Sequence, residues 1–250
     1  MRLRDMRWLV LTLTLLGSAP ARAQEVVATI PSQVTAPALL GASGTAQELC
    51  ERAASTPWAV EARGFGGAMR CAVRPAPQGA ATLELDFSLG VRLYLLSSTS
   101  RVIARLQQID AGPTEAADVE LLRLRAFRSG GRSFWAVESA GDFIDFEGEE
   151  AVGYERRSLT VCALGAPAST CTDPLPLAFE SWRGEAPNGG FTPVDGHRVV
   201  DRASATATWG ARVGRIRLRL RTGSWALLFE GDRFLPDDLP SGRSHTWPLP

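Results

Sequence analysis

Lysine is absent from this sequence: all 27 basic residues are arginine, and asparagine occurs only once, at Asn188. Because lysine and asparagine have AT-rich codons, this bias is typical of a GC-rich bacterial genome. Basic and acidic residues are balanced at 27 each. That balance argues against a nucleic-acid binder, whose affinity depends on neutralising many phosphates.

Long apolar runs are also missing. The main apolar run, residues 8–16, has only nine residues, whereas a membrane-spanning helix needs about 20. A basic start precedes it and the small-x-small sequence Ala21-Arg22-Ala23 follows it, so residues 1–23 have the three-part pattern of a signal peptide. We predict an exported bacterial protein, periplasmic or extracellular, without stable membrane insertion. The alternative is an uncleaved N-terminal anchor. Cleavage after Ala23 would remove four arginines and one aspartate, leaving 23 basic and 26 acidic residues and a net charge of −3.

Cysteine is scarce, with four residues, but in an oxidising compartment these four are candidates for disulfide bonds. The sequence lacks a Cys-x-x-Cys pair and its two histidines are far apart, which argues against a zinc site. Three pairings are possible. We expect the local ones, Cys50 with Cys71 and Cys162 with Cys171, because short loops close most easily. We predict no cofactor.

Helical periodicity is rare, whereas alternation typical of strands dominates from residue 80 onward. The best helix candidate covers residues 45–54, where Thr45 and Glu48 have the spacing of a capping box. We therefore predict a mainly β fold, an antiparallel sandwich or barrel-like domain with one short N-terminal helix. The predicted strands include residues 81–88, 91–95, 133–138, 157–164, 175–182, 203–209, 215–221 and 224–230. Residues 102–109 and 115–127 fit a helix or a strand, and we assign them to strands.

Proline-rich segments mark the ends of the predicted domain. Residues 24–44 read as an extended lead-in and residues 236–250 as a Pro-rich tail. The β-rich globular domain then covers residues 45–235. If it is divided in two, the boundary is expected near residues 167–176.

Arginine alternates with aliphatic residues in one predicted strand. A strand puts Arg215, Arg217, Arg219 and Arg221 on one face, which suits an anionic polysaccharide, a lipopolysaccharide phosphate or an acidic protein surface. The alternative is a solvated face whose arginines pair with carboxylates on neighbouring strands. The carboxylates considered for this pairing are Glu84, Asp86 and Glu120.

Acidic residues are concentrated between positions 138 and 155, with no basic residue among them before Arg156. Such oxygen clusters attract calcium, and the candidate ligands are Asp142, Asp145, Glu147 and Glu149. The spacing of an EF-hand loop is missing, so the stronger interpretation is a charged exposed loop.

Catalytic motifs are lacking. The two histidines include His197, which Asp195 could orient for acid–base chemistry, but there is no nucleophile elbow, zinc-protease motif or phosphate-binding loop. We therefore expect a non-enzymatic binding or scaffolding module. The first alternative is a secreted hydrolase that uses His197 with Asp195, or two carboxylates, which need no sequence motif. The second is a small outer-membrane β-barrel, whose strands also alternate.

Overall fold

The computed structural model describes residues 24–25, 39–64, 69–87, 90–111, 115–147, 150–165, 170–185, 195–209, 214–229 and 242–250. The predicted signal peptide lies outside these residues. In the described part of the chain, no helix is long and apolar enough to cross a bilayer.

Two short helices, α1 (Ala46–Ala54) and α2 (Pro57–Gly64), lie near the N-terminal end of the described chain. The Thr45 backbone N–H donates to the Glu48 carboxylate at 2.7 Å, and the Glu48 backbone N–H donates to the Thr45 hydroxyl at 3.3 Å. This capping box satisfies N–H groups that the first helical turn leaves unpaired. The predicted N-terminal helix is therefore confirmed.

The rest of the described chain is mostly strand. The strands are β1 (Gln24–Glu25), β2 (Arg70–Pro75), β3 (Ala81–Phe87), β4 (Gly90–Leu96), β5 (Val102–Asp110), β6 (Glu115–Ser129), β7 (Arg132–Glu147), β8 (Glu150–Leu164), β9 (Thr170–Cys171), β10 (Leu175–Glu185), β11 (Asp195–Thr208), β12 (Arg215–Thr222) and β13 (Ser244–Pro248). The two ambiguous segments are strands, as predicted.

The strands form two antiparallel sheets. The small sheet has the order β1-β2-β3-β4-β5, and the large sheet has the order β13-β12-β11-β10-β8-β7-β6, with β9 beside β8. The prediction of a mainly antiparallel β fold is confirmed. β8 ends before residues 167–176 and β10 begins within them, and the two strands are neighbours in the large sheet, whereas the change of sheet falls between β5 and β6.

Three apolar clusters hold these layers together. One side of the small sheet packs on α1 and α2, and the Cys50–Cys71 disulfide lies in that cluster. The other side packs on the large sheet around Leu106 and Val137, next to the Cys162–Cys171 disulfide. The third cluster joins β7 and β8 to β11 and β12. Both predicted disulfide pairings are confirmed.

The C-terminal part differs from the prediction in two places. The strand predicted for residues 224–230 is wrong: Trp225–Leu228 is a short helix, α3, because the Ser224 hydroxyl accepts a hydrogen bond from the Leu227 backbone N–H at 3.2 Å. The segment expected to be a tail contains β13, which pairs with β12. Trp247 anchors it, with its ring 6.5 Å from that of Trp225.

Candidate binding face and carboxylate cleft

The arginine row consists of Arg215, Arg217, Arg219 and Arg221 on β12. All four are exposed, whereas Ile216 and Leu218 between them are fully buried. Arg215, Arg217 and Arg219 alternate along the strand at about 7 Å, so this regular part of the row spans about 14 Å. A β-bulge follows at Arg221, because Ala205 lies opposite Leu220 but Ser204 lies opposite Thr222. The strand therefore presents three evenly spaced guanidinium groups to solvent and a fourth, Arg221, at the bulge.

Hydroxyl side chains border the middle of the arginine row. On β11 and β13, every residue directly opposite the two central arginines is threonine or serine. These residues carry no charge, so they leave the positive potential of the row uncompensated. The neighbours are Thr208 and Thr246 beside Arg217, and Thr206 and Ser244 beside Arg219.

The carboxylates considered as partners for the row lie elsewhere. Glu84 accepts a hydrogen bond from Arg74 Nε at 3.0 Å within the small sheet, where Asp86 also lies. Glu120 is on β6, at the opposite edge of the large sheet. Among the described residues, none forms an ion pair with the arginine row.

A second line of charge, the carboxylate row, crosses four adjacent strands of the large sheet. Directly opposite residues of antiparallel strands share one face and have Cβ atoms about 5 Å apart. The row ends where Arg202 on β11 donates to the Glu180 carboxylate at 2.5 Å. Its members are Asp118 on β6, Asp142 on β7, Glu155 on β8 and Glu180 on β10, each opposite the next.

Crowding of these acids perturbs one of them. Partial burial raises the pKa of Asp142 from its ordinary value to about 6, and the negative charges of Glu155, Asp118 and Glu120 add to this shift. Both causes disfavour the ionised form. Asp142 therefore holds its proton to a higher pH than an ordinary aspartate.

The carboxylate row opens into a cleft with a volume of about 350 Å³. One wall is the Trp182 ring, which lies so close over Gly153 that a Cβ atom there would be 2.4 Å from the ring. Such a Cβ atom would also be 2.5 Å from the Phe143 carbonyl oxygen, so glycine is needed at this position. The cleft is lined by Asp142, Phe143, Ile144, Tyr154, Glu155, Glu180 and Trp182.

The acidic segment that was expected to be an exposed loop is strand on both sides of its turn, in β7 and β8. Asp142 and Asp145 are three positions apart on one strand and lie on opposite faces. The side chain of Glu147 and the whole of Glu149 lie outside the described residues. Within the described part, no group of three or more His, Cys, Asp or Glu residues is arranged to hold a metal ion.

The predicted acid–base pair begins β11. The backbone of Asp195 lies opposite Glu185 of β10, and His197 follows two residues later on the same strand. The side chains of both lie outside the described residues.

Comparison with known proteins gives no guide to function, since no protein-family model, curated protein or solved structure matches this chain.

Proposed function

We propose that this protein is an exported, disulfide-stabilised binding module whose arginine row holds an anionic polysaccharide. The observation that carries the proposal is the row itself: three exposed guanidinium groups at regular spacing and a fourth, Arg221, at the adjoining β-bulge, with no ion pair to any described residue. Guanidinium groups bind carboxylate and sulfate oxygens through two parallel hydrogen bonds. An anionic polymer laid along β12 would meet one such group about every 7 Å.

The hydroxyl residues that border the row support a carbohydrate rather than a protein partner. Threonine and serine both donate and accept hydrogen bonds, as sugar hydroxyl groups do. Apolar anchors, which dominate protein–protein interfaces, are missing from the positions directly opposite Arg217 and Arg219. The two disulfides fit the oxidising compartment to which the signal pattern would send the chain.

The test is the affinity for polygalacturonate at low ionic strength, comparing the native protein with the double variant Arg217→Ser/Arg219→Ser. We expect the variant to bind at least about tenfold more weakly, since two charge-assisted contacts are lost. The matched control is Arg123→Ser/Arg125→Ser, which removes the same charge from another exposed strand. Equal loss in both variants, or preferential binding of polyglutamate, would reject the polysaccharide assignment.

A hydrolase is the second candidate, and one observation favours it. Asp142 and Glu155 are directly opposite each other in a cleft, and Asp142 has a pKa of about 6. A carboxylic acid beside a second carboxyl group is the arrangement that glycosidases use, one group donating a proton and the other attacking or activating water. The Trp182 ring would provide a stacking surface for a sugar.

The hydrolase is tested by measuring release of reducing ends from neutral and acidic polysaccharides near pH 5. Activity that is lost in Asp142→Asn and in Glu155→Gln would support it. Asp145→Asn, on the same strand but the opposite face, is the matched control and should retain activity. If no substrate releases reducing ends, or if the two cleft variants keep full activity, the hydrolase proposal is rejected and only the binding module stands.

A further inference from the structure

β6 is the longest edge strand of the large sheet. It has 15 residues and pairs with β7 on one side only. Among the described residues, no other backbone group hydrogen-bonds to its outer edge. An edge of this kind is a template on which another strand can pair.

Charge is segregated along β6. Asp118 and Glu120 precede Arg123 and Arg125, all four are exposed, and none forms an ion pair with a described residue. A β-bulge at Leu122 keeps the four on one face. The register shows this, because they lie opposite every second residue of β7: Asp142, Ala140, Glu138 and Ala136.

Proteins commonly protect an edge strand by giving it charge, proline or a very short length. β13, the other edge of this sheet, fits that description: it has five residues and contains Pro248. β6 differs because its acidic half and its basic half would attract, rather than repel, a strand with complementary charges. Cross-strand pairs of opposite charge stabilise a sheet, and like charges destabilise it.

A groove runs beside the acidic half of this edge. The small sheet forms its other wall, and the groove has a volume of about 420 Å³. Val119, Leu121 and Leu93 provide apolar surface, and Thr82, Glu84 and Arg74 provide a polar wall. Side chains of an added strand that alternate with its charged residues would enter this groove.

A second copy of the chain does not fit the edge. In an antiparallel pair of two β6 strands, the charges match when the twofold axis passes between Leu121 and Leu122. The small sheet packs on Val119 and Leu124, on both sides of that point. The small sheet also continues past this edge, because β5 packs on β7 and β8, β4 packs on β6, and β3 follows β4 in the sheet. A twofold-related copy would bring its own small sheet to the same place, so we infer that the partner is a single extended segment.

We propose that β6 is a docking edge for an extended segment of another protein, which pairs antiparallel to it and carries two acidic and then two basic residues at alternate positions. The acidic residues would lie opposite Arg125 and Arg123, and the basic residues opposite Glu120 and Asp118. Small apolar residues between them would face the groove. This mode of recognition gives affinity through backbone hydrogen bonds and specificity through the side chains.

The test uses two labelled peptides of the same composition in fluorescence anisotropy with the mature protein. One has the order acid-x-acid-x-base-x-base and the other acid-x-base-x-acid-x-base, with valine and alanine at x. We expect the first to bind about tenfold more tightly, because only it makes four favourable pairs. Hydrogen exchange should show new protection of outward-pointing β6 amides when that peptide binds.

Two variants complete the test. Arg123→Glu/Arg125→Glu should abolish the preference for the first peptide, whereas Arg217→Ser/Arg219→Ser, on the arginine row, should retain it; circular dichroism checks that both are folded. Equal affinity for the two peptides, protection outside β6, or a dimer of the native chain that Arg123→Glu/Arg125→Glu dissociates would overturn the proposal. The variant Arg217→Ser/Arg219→Ser should bind the first peptide as the native protein does. Loss of peptide binding at β6 can therefore be distinguished from loss of polysaccharide binding at the arginine row.

Discussion

The arginine row and the carboxylate row place four like charges each on the same sheet, but in perpendicular directions. Neighbouring arginines follow one strand at about 7 Å, whereas neighbouring carboxylates cross strands at about 5 Å. The arginines and Asp142 are all exposed, but partial desolvation of its carboxyl group and the charges of three other acids raise the pKa of Asp142. A line of like charges therefore destabilises the folded state little when it follows one exposed strand and more when it crosses several strands.

The two rows also depend on the amino-acid sequence in different ways. From Arg215 to Arg219 the arginine row depends only on alternation within β12, with its inner side anchored in the third apolar cluster, and only Arg221 lies at a β-bulge. The carboxylate row depends on the register of four strands and on Gly153, which admits the Trp182 ring beside it. The predictions below test these two dependences.

The largest effect is expected from reversing the inner side of β12. Leu218 is fully buried, so Leu218→Asp would place an unpaired charge in the core and lower the free energy of unfolding by about 3–5 kcal/mol. Arg217→Asp, one position away, should change it by less than about 0.5 kcal/mol, because its side chain is solvated. Urea denaturation measures both. Similar losses for the two would show that β12 does not have one buried and one exposed side.

A smaller loss is expected at the carboxylate cleft. In Gly153→Ala the new methyl group would meet the Trp182 ring at 2.4 Å and the Phe143 carbonyl oxygen at 2.5 Å, so both the indole and the paired backbone must shift, at a cost of about 1–3 kcal/mol. Gly165→Ala, where no atom lies within 4 Å, is the matched control. Thermal unfolding together with tryptophan fluorescence measures the change, and an unperturbed Gly153→Ala protein would refute the close contact.

The smallest effect concerns pH. Because the pKa of Asp142 is raised to about 6, the folded state binds this proton more tightly than the unfolded state. The contribution to stability is present below about pH 4 and is lost as pH rises through about 6. Asp142→Asn should remove this pH dependence and stabilise the protein at pH 7 by about 1 kcal/mol after solvent screening.

Glu180→Gln is the control for this prediction. It removes one like charge from the row but also breaks the ion pair with Arg202, and both groups are at the surface, so the net change should be close to zero. Urea midpoints measured from pH 4 to pH 8 distinguish the two variants. If the native protein became more stable as pH rises from 4 to 8, and Asp142→Asn changed in the same way, the raised pKa of Asp142 would be contradicted.

Local signals in the sequence explain the features that could be predicted. The spacing of Thr45 and Glu48 gave the start of α1, alternation gave β12, and short separations gave both disulfide pairings. The helix at Trp225 was missed because four residues between a capping serine and a buried phenylalanine also fit a strand.

The carboxylate row could not be predicted, because its members lie between 13 and 62 positions apart in the chain and only the strand registers bring them together. The long hairpin of β7 and β8 was likewise underestimated. Its acidic segment has the composition of a loop, yet it pairs residue by residue between β7 and β8, and Phe143 stacks on Tyr154 at 5.1 Å.

The central claim, that the arginine row binds an anionic polymer, is tested most directly by the salt dependence of polygalacturonate binding to the native protein and to variants lacking one, two or four of these arginines. Neutralised charges release counterions, so the slope of log affinity against log salt concentration should fall in proportion to the number of arginines removed. A slope that is unchanged when all four are replaced by serine would contradict the claim.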